Sequence, residues 1–207
     1  HRVKNRVVAA LLDASEGAPV CLVDGDTTFR ASPTALFERV GPGRSLMHAD
    51  EGLLEQDHPD VYAAVKDVER DGEAFLRPGA RMMNSGVIGL HPTDRACLDE
   101  SLAWMDVLFA ASGNFTIEQV TDGEALRWRT RVGYADDLVF HYWGFPRSFL
   151  RHRVEEHLRR TARLDLEGKV AAVRRLDTSL PRPPRWAQAL VAGYGRIRGW
   201  SDGFRFL

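Results

Sequence analysis

Two aspartates separated by one glycine, Asp24-Gly25-Asp26, follow directly on the apolar run Val20-Cys21-Leu22-Val23. In an extended chain, side chains at i and i+2 point to the same face. A turn at Gly25 alters that geometry but still lets both carboxylates converge on one ion. Mg²⁺ and Mn²⁺ favour carboxylate oxygens, and their sites usually keep room for substrate phosphates. An ion held there would neutralise the charge that develops on a departing phosphate. An Asp-x-Asp by itself is weak evidence, because acidic pairs such as Asp136-Asp137 and Asp99-Glu100 are common. The apolar run before Asp24 sets this pair apart. His141 follows a second apolar run, Leu138-Val139-Phe140. It is the candidate third ligand through one ring nitrogen, the alternative being a packed core histidine. Arg147, six residues on, has the charge and the fork geometry to hold a phosphate oxygen.

The elements that must position these groups can be read from periodicity. Residues 5–12 are expected to form a helix with Val7, Val8, Leu11 and Leu12 on one broad face. The run 19–23 is then a short strand, buried on both faces if its neighbours are parallel. Helix 34–40 follows, with Ser32 as a cap, Pro33 at its start, and Leu36, Phe37 and Val40 inward. Strand, acidic turn and helix make half of an α/β unit. Residues 45–48 read as a strand, and 59–70 as a helix opened by Pro59, ending before a polar turn at Asp71-Gly72. The segment 82–90 is apolar yet carries Asn84-Ser85 and two glycines, Gly86 and Gly89. Glycine weakens a plain central strand. Close approach to a ligand would account for it, as would a bulge or tight packing. A helix from Thr93 to about Ala110 carries the stripe Leu98, Leu102, Met105 and Phe109, which makes Met105 core rather than ligand. Ile117, Val120 and Leu126 mark a helix over 117–127, and 138–142 a strand. Leu150, Val154 and Leu158 mark a helix over 148–163, and Val170, Val173 and Leu176 a further one.

With 207 residues, 44% of them hydrophobic, the chain can build one substantial core with or without a small appendage. The expected division is an α/β core over 1–147 and a helical, basic extension over 148–207. Residues 147–207 hold 14 Lys+Arg against 6 Asp+Glu, a net +8, and the preceding part carries −9. The basic part either pairs with the acidic body or meets an anionic partner. Nucleic acid is not an expected partner, since only this tail charge would support it. Cys21 and Cys97 lie 76 positions apart without a Cys-x-x-Cys spacing, so they read as two reduced core cysteines. No signal peptide opens the chain, and no run reaches the roughly 18 apolar residues of a membrane span. The expectation is a cytoplasmic chain. Its segment 185–207, with Trp186, Leu190, Tyr194, Ile197 and Trp200 among arginines, either contacts a membrane surface or protein partner or covers its own domain. There is no Gly-x-x-x-x-Gly-Lys loop, His-Glu-x-x-His helix or Gly-x-Ser-x-Gly elbow, which excludes those enzyme classes.

Three blocks together resemble the nucleotide-sugar-dependent glycosyltransferases of the GT-A fold, especially the retaining, glycogenin- and galactosyltransferase-like group and its bacterial relatives. They are Val20–Thr27 with its Asp-x-Asp, Met83-Asn84-Ser85-Gly86-Val87, and His141-Tyr142-Trp143-Gly144 followed by Pro146-Arg147. The resemblance implies an α/β fold with a mixed central sheet flanked by helices. Because only 23 residues precede Asp24, the nucleoside-binding strands that open this fold are expected to be missing. It also implies that Asp24, Asp26 and His141 hold Mn²⁺ or Mg²⁺, that Gly144 and Arg147 hold the diphosphate, and that Asn84, Ser85 and Gly86 line the sugar and acceptor pocket. Glu118 and Gln119 match residues near the transferred sugar and acceptor, and are the catalytic candidates. The implied reaction moves a sugar from a nucleotide diphosphate sugar to a hydroxyl acceptor. For inversion, Glu118 is the candidate base; for retention, no nucleophile stands out. Two other readings stay open. One is a phosphohydrolase or nucleotidyltransferase using Asp24 and Asp26. The hydrolase would also want a Ser or Thr at a second strand end, a lysine and a second acidic pair, and neither Lys66 nor Lys169 sits in a recognisable motif. The other is a non-catalytic domain that binds a partner through its basic, aromatic tail.

Overall fold

The computed structural model describes residues 2–142 and 145–178. Its elements in chain order begin with α1 (Arg2–Ala14), β1 (Val20–Val23), β2 (Thr27–Phe29), α2 (Thr34–Arg39) and β3 (Arg44–Leu53). Then come α3 (Leu54–Asp57), α4 (Pro59–Val65), β4 (Glu69–Arg70), β5 (Glu73–Ala74) and β6 (Arg81–Leu90). The remainder is α5 (Ala96–Ser112), α6 (Ile117–Arg129), β7 (Arg131–Tyr134), β8 (Val139–His141), α7 (Phe145–Thr161) and α8 (Leu166–Val173).

Four strands form the main sheet in the order β1-β6-β3-β7. The β1–β6 and β6–β3 pairs are antiparallel and β3–β7 is parallel, so the sheet is mixed. Helices cover it, and the chain is α/β. On one face, Met47, Ile88 and Leu90 pack with Val8 and Leu12 of α1, Leu98 of α5 and Leu126 of α6. On the other, Leu46 and Val87 pack with Leu36 and Val40 beside α2 and with Val139 of β8. Residues 46/47 and 87/88 thus alternate between faces, as strand geometry requires. A third cluster joins α4, α5 and α6 around Phe75, whose ring lies 5.1 Å from Trp104 and 4.9 Å from Trp128.

Several sequence expectations need correction. β1 is an antiparallel edge strand and only half-buried, not a parallel strand covered on both faces. The inward stripe of α1 is Asn5, Val8, Ala9 and Leu12, while Val7 and Leu11 are exposed. The i, i+3, i+4, i+7 rule selects this stripe, and the polar Asn5 at its start hid it. Phe37 and Phe109 face outward, whereas Leu36, Met105 and the three apolar residues named on α6 are buried as expected. α4 stops at Val65. The next residues turn through Asp71 and Gly72, both at positive φ (57° and 78°), into the tight hairpin of β4 and β5. Cys21 and Cys97 are both free, and burial pushes their thiols up to about 12 and about 11. Among the described residues no helix is long and apolar enough to cross a membrane. The segment 185–207, for which a membrane or partner contact was expected, lies outside the described residues.

Candidate metal centre

The loop Asp24–Asp26 is where the chain leaves one sheet and joins another. The Asp24 N–H still donates to Gly86 O of β6 (2.9 Å). Two residues later Asp26 O accepts from Tyr142 N (3.1 Å), and Thr27 pairs with His141 in the β2–β8 ribbon. One carboxylate is therefore tied to the main sheet and the other to the ribbon, with the crevice between them.

β6 supplies the floor through a bulge. Met47 of β3 lies opposite Ile88, yet Ala49 lies opposite Asn84, so a two-residue step on β3 meets a four-residue step on β6. The surplus residues leave the ladder and re-aim Asn84 and Ser85, a common use of bulges beside sites. A Cβ at Gly86 would collide with the His141 ring, and one at Gly89 would lie 2.7 Å from Val40 Cγ2. Both glycines thus permit close packing. At Gly86 the group packed is a candidate ligand.

The hydrogen bonds around His141 fix its tautomer. Asn84 Nδ2 donates to Glu51 Oε1 (2.8 Å), and Gly86 N donates to Asn84 Oδ1 (2.9 Å). The same Oδ1 lies 2.9 Å from His141 Nδ1, so Nδ1 carries the proton and donates. The Nε2 lone pair then faces Asp26 Oδ1 at 3.1 Å. Two acceptors that close call for a proton or a metal ion between them. Burial pushes the imidazole pKa down, against the upward pull of Asp26 and Asp24, and so disfavours the proton. Asp24, Asp26 and His141 each offer a ligand atom, all within 4.8 Å of one another. Cis ligands of an octahedral divalent ion lie ~3 Å apart; carboxylates suit Mg²⁺ and Mn²⁺, and an imidazole suits transition-metal ions. The donor set fits such an ion, and Asn84 is the outer partner that orients the histidine.

Lys4 completes the site and was not singled out from sequence. Its Nζ lies 2.7 Å from Asp24 Oδ2, 3.3 Å from Glu118 Oε1 and 3.4 Å from Ser85 Oγ. Burial disfavours its ammonium, but the hydrogen bond to Asp24 and the charge of Glu118 outweigh that and raise its pKa. Ser85 Oγ in turn donates to Glu118 Oε1 (3.2 Å). Glu118 and Gln119 occupy the first turn of α6 and line a 220 Å³ cavity with Lys4, Asp24, Ser85 and His141. Asp24, Asp26, Asn84, Ser85, Gly86, Glu118, Gln119 and His141, named from sequence, therefore converge. Gly144 and the Arg147 side chain lie outside the described residues. No family model, curated protein or solved structure matches the chain.

One turn beyond Glu118, Asp122 braces the helices beneath the site. Its Oδ1 accepts from Asn5 Nδ2 (2.6 Å) and Ser101 Oγ (2.5 Å), joining α6 to α1 and α5. Asp122 Oδ2 and Asn5 Oδ1 are buried without a hydrogen-bond partner among the described residues. Polar residues inside an apolar stripe, Asn5 above all, were the signal in the sequence. Burial pushes the Asp122 carboxyl up to about 6, against the lowering effect of Ser101 and Asn5. The folded state therefore holds an extra proton between about pH 4 and about pH 6. Stability from this group is full below that window and falls as pH rises through it. Asp122→Asn keeps an acceptor and removes the charge. It is expected to exceed wild type by about 2–3 kcal/mol at pH 7.5, a gap that closes towards pH 4. Urea midpoints at the two pH values check this.

Proposed function

We propose that this chain is a metal-dependent glycosyltransferase of the GT-A type, moving a sugar from a nucleotide diphosphate sugar to a hydroxyl acceptor. The observation that carries the reading is the His141–Asp26 contact. A histidine oriented by Asn84 turns its second ring nitrogen onto a carboxylate of an Asp-x-Asp loop, beside a cavity lined by Glu118 and Gln119. Asp24 and Asp26, Asn84 to Gly86, and His141, one set from each of the three sequence blocks that resemble this family, are far apart in the chain and meet at that crevice, which supports the assignment.

Mn²⁺ or Mg²⁺, held by Asp24, Asp26 and His141, would supply charge stabilisation for the departing diphosphate. The chain's own residues do the rest. Gly86 N–H and His141 Nδ1–H share Asn84 Oδ1 and keep the histidine ring in place. Lys4 holds Asp24 and Glu118 in register across the cavity, so that neither carboxylate swings into solvent. Glu118, Gln119 and Ser85 offer the acceptors and donors that orient sugar hydroxyls, and for an inverting transfer Glu118 is the candidate base for the acceptor hydroxyl. Removing the Lys4 charge lowers the competing positive potential at Asp24. Lys4→Gln is therefore expected to bind Mn²⁺ about threefold to tenfold more tightly, read by calorimetry.

One observation favours a second reading. A phosphohydrolase wants a lysine and a serine beside its first aspartate, and Lys4 and Ser85 supply both. The edge position and antiparallel pairing of β1 weigh against the central parallel strand that such an enzyme would use. Incubation with Mn²⁺ and a panel of UDP- and GDP-sugars separates the two. Release of nucleoside diphosphate that disappears in Asp26→Asn is the expected result. Release of inorganic phosphate from p-nitrophenyl phosphate, with no action on any nucleotide sugar, overturns the transferase reading.

A further inference from the structure

A second, larger cavity of 540 Å³ adjoins the loop, lined by Gly25, Asp26, Tyr142, Arg151, Val154 and Leu158, with Glu155 at Arg151. It shares no lining residue with the 220 Å³ cavity. Asp24 and His141 face the smaller one, Asp26 and Tyr142 the larger. Successive residues His141 and Tyr142 point to opposite sides at the end of β8, and the turn at Gly25 separates Asp24 from Asp26. The triad therefore stands between two cavities of different chemistry. The smaller is rich in hydroxyl-binding groups: a carboxylate, an amide and a serine. The larger combines the Arg151 guanidinium and the Asp26 and Glu155 carboxylates with an aromatic and aliphatic wall.

We propose that the larger cavity seats the nucleoside diphosphate half of the donor, with Arg151 binding phosphate oxygens and Tyr142, Val154 and Leu158 covering the nucleoside. The inference rests on the metal-site reading above. In a nucleotide sugar the diphosphate lies between nucleoside and sugar, so a diphosphate held at the triad sends the two ends to different sides. The sugar suits the smaller, hydroxyl-binding cavity, and the larger remains for the larger end. Arg151 sits one cavity wall away from Asp26 on α7, and a guanidinium matches phosphate oxygens in pairs. Its present partner is Glu155, an exposed i, i+4 contact of 2.7 Å on the same helix. Such surface pairs are weak, so a phosphate can replace the carboxylate. Leu158 is 61% exposed at the rim of this cavity, an apolar surface that a nucleoside would cover. Residues of α7 thus supply the nucleoside wall.

The test uses the whole chain and calorimetry with Mn²⁺ alone, Mn²⁺-pyrophosphate, and Mn²⁺ with UDP, GDP or ADP. Arg151→Ala is expected to weaken pyrophosphate and the preferred nucleoside diphosphate about tenfold or more. Leu158→Asp should weaken the nucleoside diphosphate and spare pyrophosphate. Arg153→Ala, the same charge change on the same helix at a residue that contacts Asp177, should alter neither. All three should bind Mn²⁺ as wild type does. Equal pyrophosphate affinity in Arg151→Ala and Arg153→Ala, with Mn²⁺ binding intact, overturns the role of Arg151. Equal nucleotide affinity in Leu158→Asp overturns the nucleoside wall. Failure of Mn²⁺ to bind, or binding unaffected by Asp26→Asn, overturns the metal site itself and this proposal with it.

Discussion

Asp26→Asn is expected to weaken Mn²⁺ binding by about a hundredfold or more while leaving the fold intact. Loss of an outer-sphere partner alone typically costs metal affinity tenfold to a hundredfold, and Asp26 is a direct ligand candidate. The amide keeps the size of the side chain and leaves the backbone bond between Asp26 O and Tyr142 N untouched. It removes a negative charge that stands close to Asp24, and it faces His141 Nε2 with a group that holds a metal poorly. Because the triad concentrates negative charge, stability without metal should change by less than ~1 kcal/mol or rise slightly. Calorimetry with Mn²⁺ gives the affinity, and a urea melt in a chelator gives the stability. Equal Mn²⁺ affinity in wild type and variant would sink the metal-centre assignment.

Alanine at Gly86 and at Gly89 should separate metal binding from folding. Gly86 cannot retreat, because its N–H is held by Asn84 Oδ1 and its carbonyl by Asp24 N. A methyl there must push the His141 ring off Asn84, so Gly86→Ala should lose Mn²⁺ affinity about tenfold to a hundredfold and destabilise by about 1–3 kcal/mol. At Gly89 the new methyl would meet Val40 Cγ2 at 2.7 Å and Leu46 Cβ at 2.9 Å, both in the core. Gly89→Ala should therefore cost a similar 1–3 kcal/mol and leave Mn²⁺ affinity unchanged in the folded fraction. Denaturation midpoints and Mn²⁺ titrations on both variants give the comparison. Loss of metal binding in both, or in neither, would contradict the packing described here.

How much could be read beforehand depended on whether a feature was local. The apolar run before Asp24, the stripe on α6 and the glycine pair in β6 are set by neighbours within a few residues, and each was visible. The pairing of β1 was not. An apolar four-residue run serves equally as a parallel core strand or as a half-covered antiparallel edge, and only the partner, β6, decides. β2 and β7 passed unnoticed because Thr-Thr-Phe and Arg-Val-Gly-Tyr form no apolar run of the kind that marks β1 and β8. The inward face of α1 was misjudged because Asn5 takes a core position through a bond to Asp122, 117 residues away.

For the candidate site, the sequence alone determined the ingredients: an Asp-Gly-Asp loop after a strand, an Asn-Ser-Gly segment, a histidine after a strand, and Glu118-Gln119 on a helix. Residue type and local spacing carry that information. Tertiary structure decided that these groups share one crevice, that Asn84 sets the His141 tautomer, and that Lys4 reaches in from a helix 20 residues upstream to pair with Asp24. It also decided that the triad separates two cavities. These are contacts between groups up to 115 positions apart, set by a β-bulge and by the divergence of two sheets, and no local pattern encodes them.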